Sequence, residues 1–433
     1  MNHQSYLLRL SPNRYTQTPC TETQMLNATL VSSSEMRATQ QNQSKMTTMK
    51  ETLSSKTTGL LLVHHLALLV MGFMVLAQGK LKQASSVQNC RNDSAAFYIL
   101  GDSSVDCGDN TLFYPLIHSY LSLYSCNGSD GSTLIPHLLA EKMGMPNILP
   151  FYSQNGSING IQRGLNFGSA HATILNHGSQ SYQSVNQQLR QVFDSMQLLQ
   201  LQLSEDRALS FIKSSIFYLS FGKDDFIELF LRNASGTAKQ NNTDQEFSHI
   251  LADQMVHVIR NLYDMNVRRI ICMGILPLGC TPRVLLNQYN STAHPNEDDD
   301  DDVPRGCVEE INAQVLEYNR ELNEQISELH AELPDAQLLF CDVYQGLATI
   351  INNPEQYGFE DVKNACCGLG MYGAEIGCLS KDMACDKEAS HVWWDLYNPT
   401  KAVNSLLADS AWSSYPLRIC RPMSIQEFFS ASV

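Results

Sequence analysis

The sequence predicts an α/β fold, and three observations carry the prediction. Four short apolar runs, Ala96 to Leu100, Ser215 to Phe221, Arg268 to Gly274 and Gln337 to Cys341, each give way to glycine or polar residues, as strands buried on both faces of a parallel sheet do. Stretches with the spacing of amphipathic helices separate these runs, so strand and helix alternate along the chain. With 43% hydrophobic and 8% aromatic residues, the 433-residue chain has ordinary globular composition and enough apolar surface for a full core.

The N-terminal stretch stands apart from this pattern. Of residues 1 to 58, 29 are Ser, Thr, Asn or Gln, and a segment with so little to bury cannot offset its own chain entropy, so disorder is expected there. A start at Met46 or Met49 would leave most of it untranslated. Residues 59 to 79 contain an apolar run, Leu60 to Ala77, preceded by Lys50 and Lys56 and closed by Ala77-Gln78-Gly79. That is the charged start, apolar middle and small-residue end of a secretory signal peptide. The rival reading is a membrane anchor, since the run is almost long enough to span a bilayer; His64, His65 and the small residues favour cleavage, after which no stable membrane insertion is expected.

Charge and cysteine usage set the compartment and the partners. The chain has 29 Lys and Arg against 44 Asp and Glu, and residues 1 to 79 hold six basic and three acidic groups, so the remainder carries −18. No nucleic-acid partner is therefore expected. Sequons at Asn92, Asn127, Asn155, Asn233, Asn241 and Asn290 read as glycan sites of a secreted, extracellular or cell-wall protein. Twelve of the 13 cysteines follow the apolar run, which in an exported chain predicts up to six disulfides of undetermined pairing. Cys366, Cys367, Cys378 and Cys385 crowd together without a histidine set at zinc spacing, and no phosphate-loop or H-E-x-x-H motif occurs, so neither metal nor cofactor is expected.

Among the helices, Phe247, Ile250, Leu251, Met255, Val258, Ile259 and Leu262 share one face, with Asp244 and Asn266 as caps. A second helix spans about Glu309 to Leu333, and a last one opens at Pro399, proline being favoured at the first helical position. Between them Glu297 to Asp302 is an unbroken acidic run bounded by Pro295 and Pro304, a self-repelling and solvated loop. With no internal repeat, a single domain from about Asn89 to Val433 is the simplest parse.

The first strand runs directly into Gly101-Asp102-Ser103-Ser104-Val105-Asp106. This places a serine at the carboxyl end of a sheet strand, where α/β active sites sit. A serine in such a turn can expose its hydroxyl and receive backbone N–H dipoles, as an acyl-transfer nucleophile requires; on its own, the tripeptide equally fits a plain turn with Ser103 as a helix cap.

With its flanks, this stretch resembles the first motif of the plant GDSL esterase/lipase family of the SGNH hydrolase superfamily, roughly F-G-D-S-x-x-D-x-G-N. Further stretches agree in order. Gly164-Leu165-Asn166-Phe167-Gly168-Ser169-Ala170-His171-Ala172 resembles the second motif, and Gly222-Lys223-Asp224-Asp225 stands where the third, G-x-N-D, is expected. The runs from Gly274 to Arg283 and from Ala365 to Gly368 match other family signatures, and Trp394-Asp395-Leu396-Tyr397-Asn398-Pro399-Thr400 matches the last, W-D-x-x-H-P-T. The resemblance, covering about residues 95 to 412, implies a three-layer α/β/α sandwich with a central parallel sheet. It also implies hydrolysis of lipid, acyl-sugar or cell-wall esters through an acyl-enzyme on Ser103, with Asp395 as the orienting acid and Ser103, Ala170, His171 and Asp224 at the oxyanion-hole positions.

Two departures from the family pattern touch the chemistry. Asn398 stands where the family has its base histidine, and an amide has no basic lone pair to take a hydroxyl proton. Asp224 stands where the family has an asparagine donor, and a carboxylate repels a developing oxyanion. Three explanations compete. His391 or His171 is a surrogate base; or the substitutions compensate, Asp224 taking the proton while Asn398 supplies an amide donor; or the fold persists as a non-catalytic binding protein for ester, lipid or glycan ligands.

Overall fold

The computed structural model describes residues 95–106, 134–145, 148–153, 157–175, 184–231, 243–292 and 306–431, all within the unit Cys90–Val433. The expectations for the N-terminal stretch, the apolar run Leu60 to Ala77, the acidic loop and every sequon except Asn290 lie outside the described residues. Asn290 is exposed, near the end of the Pro282–Thr292 helix. Among the described residues no helix is long and apolar enough to cross a membrane.

The central sheet is built from β1 (Phe97–Gly101), β2 (Leu149–Pro150), β3 (Leu165–Asn166), β4 (Ile216–Ser220), β5 (Arg269–Met273) and β6 (Gln337–Cys341). After two small strand pairs, formed by β7 (Asp361–Ala365) with β10 (His391–Trp393) and by β8 (Gly368–Leu369) with β9 (Ile376–Gly377), it is completed by β11 (Cys420–Arg421). Its order is β11-β6-β5-β4-β1-β3-β2, parallel throughout except for antiparallel β11. The four apolar runs of the sequence are β1, β4, β5 and β6, each within a residue or two of its expected bounds.

Alternation along these strands divides the core in two. Tyr98, Leu100, Phe217, Leu219, Ile270 and Leu338 pack on one face with the helices Val185–Gln202, Thr243–Asp264 and Glu309–Glu332. Phe97, Ile99, Ile216, Tyr218, Ile271 and Leu339 pack on the other with Ile135–Lys142, Val343–Asn352 and Lys401–Ser413. Successive strand side chains point to opposite faces, so strands with apolar residues at successive positions must be covered twice, and three layers follow. Fully burying one such leucine or isoleucine contributes about 1.5–3 kcal/mol, and cutting Leu219 back to alanine should cost about 2–5 kcal/mol.

Three local expectations need correcting. Ile250 is 41% exposed while Leu251, Met255, Val258, Ile259 and Leu262 are buried, so the buried stripe is narrower than the apolar one. The Thr243–Asp264 helix already includes Asp244, which therefore lies in its first turn, whereas Asn266 adopts φ 68° just past its end, a left-handed position asparagine tolerates. The helix expected at Pro399 begins at Lys401 with Thr400 as its N-cap, accepting from Val403 N, while Pro399 bridges to Trp393; nor is it the last, since a short helix, Ile425–Ser430, follows it.

Among the described residues four disulfides join Cys280 to Cys307, Cys341 to Cys420, Cys366 to Cys385 and Cys367 to Cys378. Cys272, on β5, is buried and unpaired, so six pairs cannot form. The crowded quartet bonds to itself: Cys366, Cys385 and His391 lie within 4.8 Å of one another, but the two sulfurs are already joined, which removes the thiolates a metal would need.

Candidate active site

From β1 the chain crosses to the edge strand β2, returns through β3 to lie beside β1, and then builds the other side through β4, β5 and β6. Its carboxyl-end crevice at this reversal is the position where open α/β sheets bind ligands. The segments following β1, β3 and β4 meet there. Gln188 ends β1 by bonding both backbone groups of Gly101, accepting its N–H at 3.0 Å and donating to its carbonyl at 2.8 Å.

Buried Asp102 ties the first segment to the third. Its Oδ1 accepts from Ser104 N at 2.9 Å and Ser104 Oγ at 2.6 Å, and its Oδ2 accepts from Asp224 N at 3.2 Å. Burial first, and the Asp224 charge second, push its carboxyl up to about 6, against the opposite pull of Lys223. Asp225 is anchored similarly, accepting from Ile174 N and Leu175 N at 2.9–3.0 Å, and burial pushes it up to about 7 despite those donors. Gly222 permits the turn between β4 and this pair, at φ 102°. Beyond them Phe226–Leu231 forms a π-helical turn, a feature often found at functional sites.

Ser103 emerges beside Asp224. Its hydroxyl donates to Asp224 Oδ1 at 2.5 Å and its backbone N–H to Asp224 Oδ2 at 3.0 Å. The same Oδ2 accepts the His171 N–H at 2.7 Å. Two of the backbone donors expected to face an ester oxygen thus converge on a side-chain carboxylate of the chain itself. His171 reaches this position with φ 61°, at a place where the related pattern has glycine; left-handed backbone in such a residue costs about 1–3 kcal/mol. Ala170 is not brought to this point, since its N–H donates to Asp106 Oδ2 at 2.8 Å.

Asp395 and Asn398 form the opposite wall. Asp395 Oδ1 accepts from Tyr397 N and Asn398 N at 3.0 and 2.8 Å, and the Asn398 amide donates to Oδ1 and Oδ2 at 3.1 and 3.0 Å. Buried Lys223 then donates from Nζ to Asn398 Oδ1 at 2.5 Å. With an acceptor on one side and a cationic donor on the other, the amide orientation is determined by its partners. The Asn398 N–H groups are used on Asp395, so the exchange in which Asn398 would supply an oxyanion donor is not the arrangement found.

Of the two surrogate bases, His171 lines the cleft, its Nδ1 bonded to Glu228 Oε1 at 3.0 Å. His391 does not line it: its ring is engaged with Lys387 O at 3.1 Å and Cys385 Sγ at 3.6 Å and lies 3.7 Å from Asp361. Lys223, Glu228 and Asp102 were not foreseen as site residues. The signal for Lys223 was its place inside Gly222-Lys223-Asp224-Asp225, one residue past a strand-ending glycine. Nothing local distinguishes Glu228.

The cleft between these walls has a volume of about 320 Å³ and is lined by Ser103, His171, Asp224, Asp395 and Asn398 together with Ile227, Leu379 and Leu396. That is enough for a small organic ligand. Behind Asn398 a separate cavity of about 50 Å³ is lined by Lys223, Ser104 and Tyr218 among others.

The chain is similar to known proteins over this fold. GDSL esterase/lipase At1g71250 of Arabidopsis thaliana is 29% identical over 340 residues, covering 75% of this chain and 87% of the relative. GDSL esterase/lipase 7 of the same plant is 27% identical over 345 residues, covering 75% and 90%. The family model described as GDSL-like Lipase/Acylhydrolase matches residues 97–411, from β1 through most of the last long helix, the span over which the three-layer sheet and both walls of the cleft are built. A serine at the end of the first parallel strand, an acid three residues before Asn398 and that continuous match together mean that the chain belongs to the GDSL lipase/acylhydrolase family of ester hydrolases.

Proposed function

We propose that this chain is a secreted member of its family that takes an acyl ester, as a lipid or acyl-sugar, into the Ser103 cleft and binds it with the hydrolytic step held back. One observation carries the reading: Asp224 occupies two places that a reacting ester needs separately. Hydrolysis requires an acceptor for the Ser103 hydroxyl proton and, at the same time, N–H donors for the carbonyl oxygen as it becomes an oxyanion. Asp224 Oδ1 takes the hydroxyl while Oδ2 takes the Ser103 and His171 N–H groups. Moving the carboxylate aside frees the donors but removes the acceptor; leaving it in place blocks the oxygen with like charge. Asn398 cannot substitute as base, and loss of a triad histidine costs on the order of 10⁶ in turnover in subtilisin. Secretion is supported by the Leu60 to Ala77 run, the sequons and the disulfides of the described residues.

The 2.5 Å contact between Ser103 Oγ and Asp224 favours a second reading, an ester hydrolase with Asp224 as its base. Fluorophosphonate labelling of the purified chain, with hydrolysis of short- and long-chain acyl esters, separates the two. The binding reading expects no Ser103 labelling and no turnover that Ser103→Ala removes. Stoichiometric labelling with Ser103-dependent turnover that Asp224→Asn abolishes establishes the hydrolase instead.

A further inference from the structure

Cys366, Cys385 and His391 meet at the root of the segment that carries Asp395. Among the described residues they are the one group of three thiol, imidazole or carboxylate ligands whose atoms lie within 4.8 Å of one another. Strand register brings them together. β10 opens at His391, opposite Asp361 of β7; just past β7 the Cys366 N–H donates to Trp393 O at 2.9 Å, and the Cys385 N–H donates back to Cys366 O at 2.7 Å. His391 Nδ1 lies 3.6 Å from Cys385 Sγ. In a tetrahedral zinc site with Zn–S and Zn–N bonds of about 2.3 and 2.0 Å, the ligand sulfur and nitrogen stand roughly 3.5 Å apart. The other ring nitrogen, Nε2, faces Asp361 Oδ2 at 3.7 Å. A histidine bound to metal commonly turns its second N–H to a carboxylate, which fixes its tautomer. Both ring nitrogens are thus placed as in a metal site, and only the Cys366–Cys385 bond withholds the thiolates.

We propose that Cys366, Cys385 and His391 form a redox-gated site for a thiophilic divalent cation of the Zn²⁺ class, closed as a disulfide and open as a dithiol. A small external dithiol opens the bond by exchange: its two electrons reduce the protein sulfurs, its two protons pass to them, and it leaves as its own cyclic disulfide. The cation then displaces those two protons and binds both thiolates. In the disulfide form His391 Nδ1 carries a proton, donated to Lys387 O at 3.1 Å. On metal binding that proton moves to Nε2, toward Asp361, and Nδ1 becomes the third ligand. The sulfurs need part only to roughly 3.8 Å, the tetrahedral edge. Cys366 is buried while Cys385 and His391 are half-buried, so reductant and a water as fourth ligand approach from their side. This site is independent of the ester-binding reading. It has a consequence for the cleft, because the Cys366 and Cys367 N–H groups hold Trp393 O and Trp394 O, immediately before Asp395. Metal in place of the disulfide keeps that wall braced under reducing conditions.

The test is titration of the purified full-length chain with Co²⁺, whose visible absorption and sulfur-to-cobalt charge transfer report tetrahedral thiolate coordination. One sample is kept oxidised; the other is reduced with dithiothreitol and freed of it by anaerobic desalting. The reduced chain should bind Co²⁺ in a form that Zn²⁺ displaces, and the oxidised chain should not. His391→Ala leaves both cysteines in place and should weaken Co²⁺ at least about a hundredfold, while Asp361→Asn should weaken it about tenfold by freeing the imidazole. Reduction also opens Cys367–Cys378, so Cys367→Ser with Cys378→Ser, checked for cooperative unfolding, serves as the control and should keep both absorption and affinity. Absence of cobalt binding by the reduced chain, equal binding by the oxidised chain, or binding that His391→Ala leaves unchanged overturns the proposal; the last result is also what cysteines of an unfolded chain would give. Cobalt binding lost in a cooperatively folding Cys367→Ser, Cys378→Ser chain overturns it as well, assigning the metal to the neighbouring pair.

Discussion

Two carboxylates border the same cleft, and the chain treats them differently. Asp395 is bonded by the backbone of the turn that carries it and by the amide of Asn398, so it keeps an orienting geometry with nothing basic to orient. Asp224 is bonded by the Ser103 hydroxyl and by the N–H groups of Ser103 and His171, the place that the proposed reading assigns to the substrate oxygen. On the proposed reading one wall keeps the frame of an acid without a base, and the other carries a charge that closes it. Geometry and reactivity are thus separable: a turn can hold an acid in register without the base that gave the acid its purpose.

The largest expected effect comes from restoring both walls together. Asn398→His with Asp224→Asn should raise Ser103-dependent ester hydrolysis by at least about 10³, since the histidine is worth up to about 10⁶ and an oxyanion donor about 10²–10³. Release of 4-nitrophenol from short acyl esters reads this, and either single change should give far less. A silent double variant with unchanged unfolding would break the comparison, placing the block elsewhere.

Next in size is Lys223→Met, which removes the buried cation beside Asn398 and Asp102. It should cost about 3 kcal/mol at pH 7.5, because a buried carboxylate loses its compensating charge, and less than half of that at pH 5, where Asp102 and Asp225 take up protons. Denaturant unfolding at the two pH values measures the difference.

Asp225→Asn sharpens the picture on the nucleophile side. Its folded-state value of about 7 lies above the ordinary carboxylate value, so folding favours the neutral form. Stability from this group is full below about pH 4 and is lost as pH rises to 7. The variant should flatten that fall in unfolding temperature. His137, pushed down to about 4 by burial, acts in the opposite sense, giving stability above about pH 6.5 that is lost toward pH 4, and its contribution should remain in the variant. The smallest effect is at the far wall, where Thr400→Ala removes the cap from Val403 N and should cost about 1 kcal/mol with no change in ligand affinity.

The four main strands were legible because apolar residues occupy successive positions through their middles, which double-sided burial explains. The small sheets were not: β7 holds Asp361, Lys363 and Asn364, and it pairs with β10 through a turn-rich, disulfide-braced path that has no period to read. Ser103, His171, Asp224, Asp395 and Asn398 were legible as positions, since each sits in a motif of fixed spacing. Which donor each one faces was not, because the Asp224 carboxylate meets Ser103 and His171 across 121 and 53 residues of chain. Lys223 was equally opaque: its partner lies 175 residues away, and a lysine after a strand is ordinarily solvent-facing.

Cleaving an ester releases an acid, and an acid leaving such a cleft would carry its oxygens past the N–H groups of Ser103 and His171. The side chain of Asp224 already rests there, bonded as a departing carboxylate would be. On the proposed reading this chain holds a covalently tethered copy of the reaction product, present at a concentration no free ligand could match. Free fatty acids should therefore be excluded from the cleft by charge and by prior occupancy, and neutral molecules admitted in preference to their own hydrolysis products.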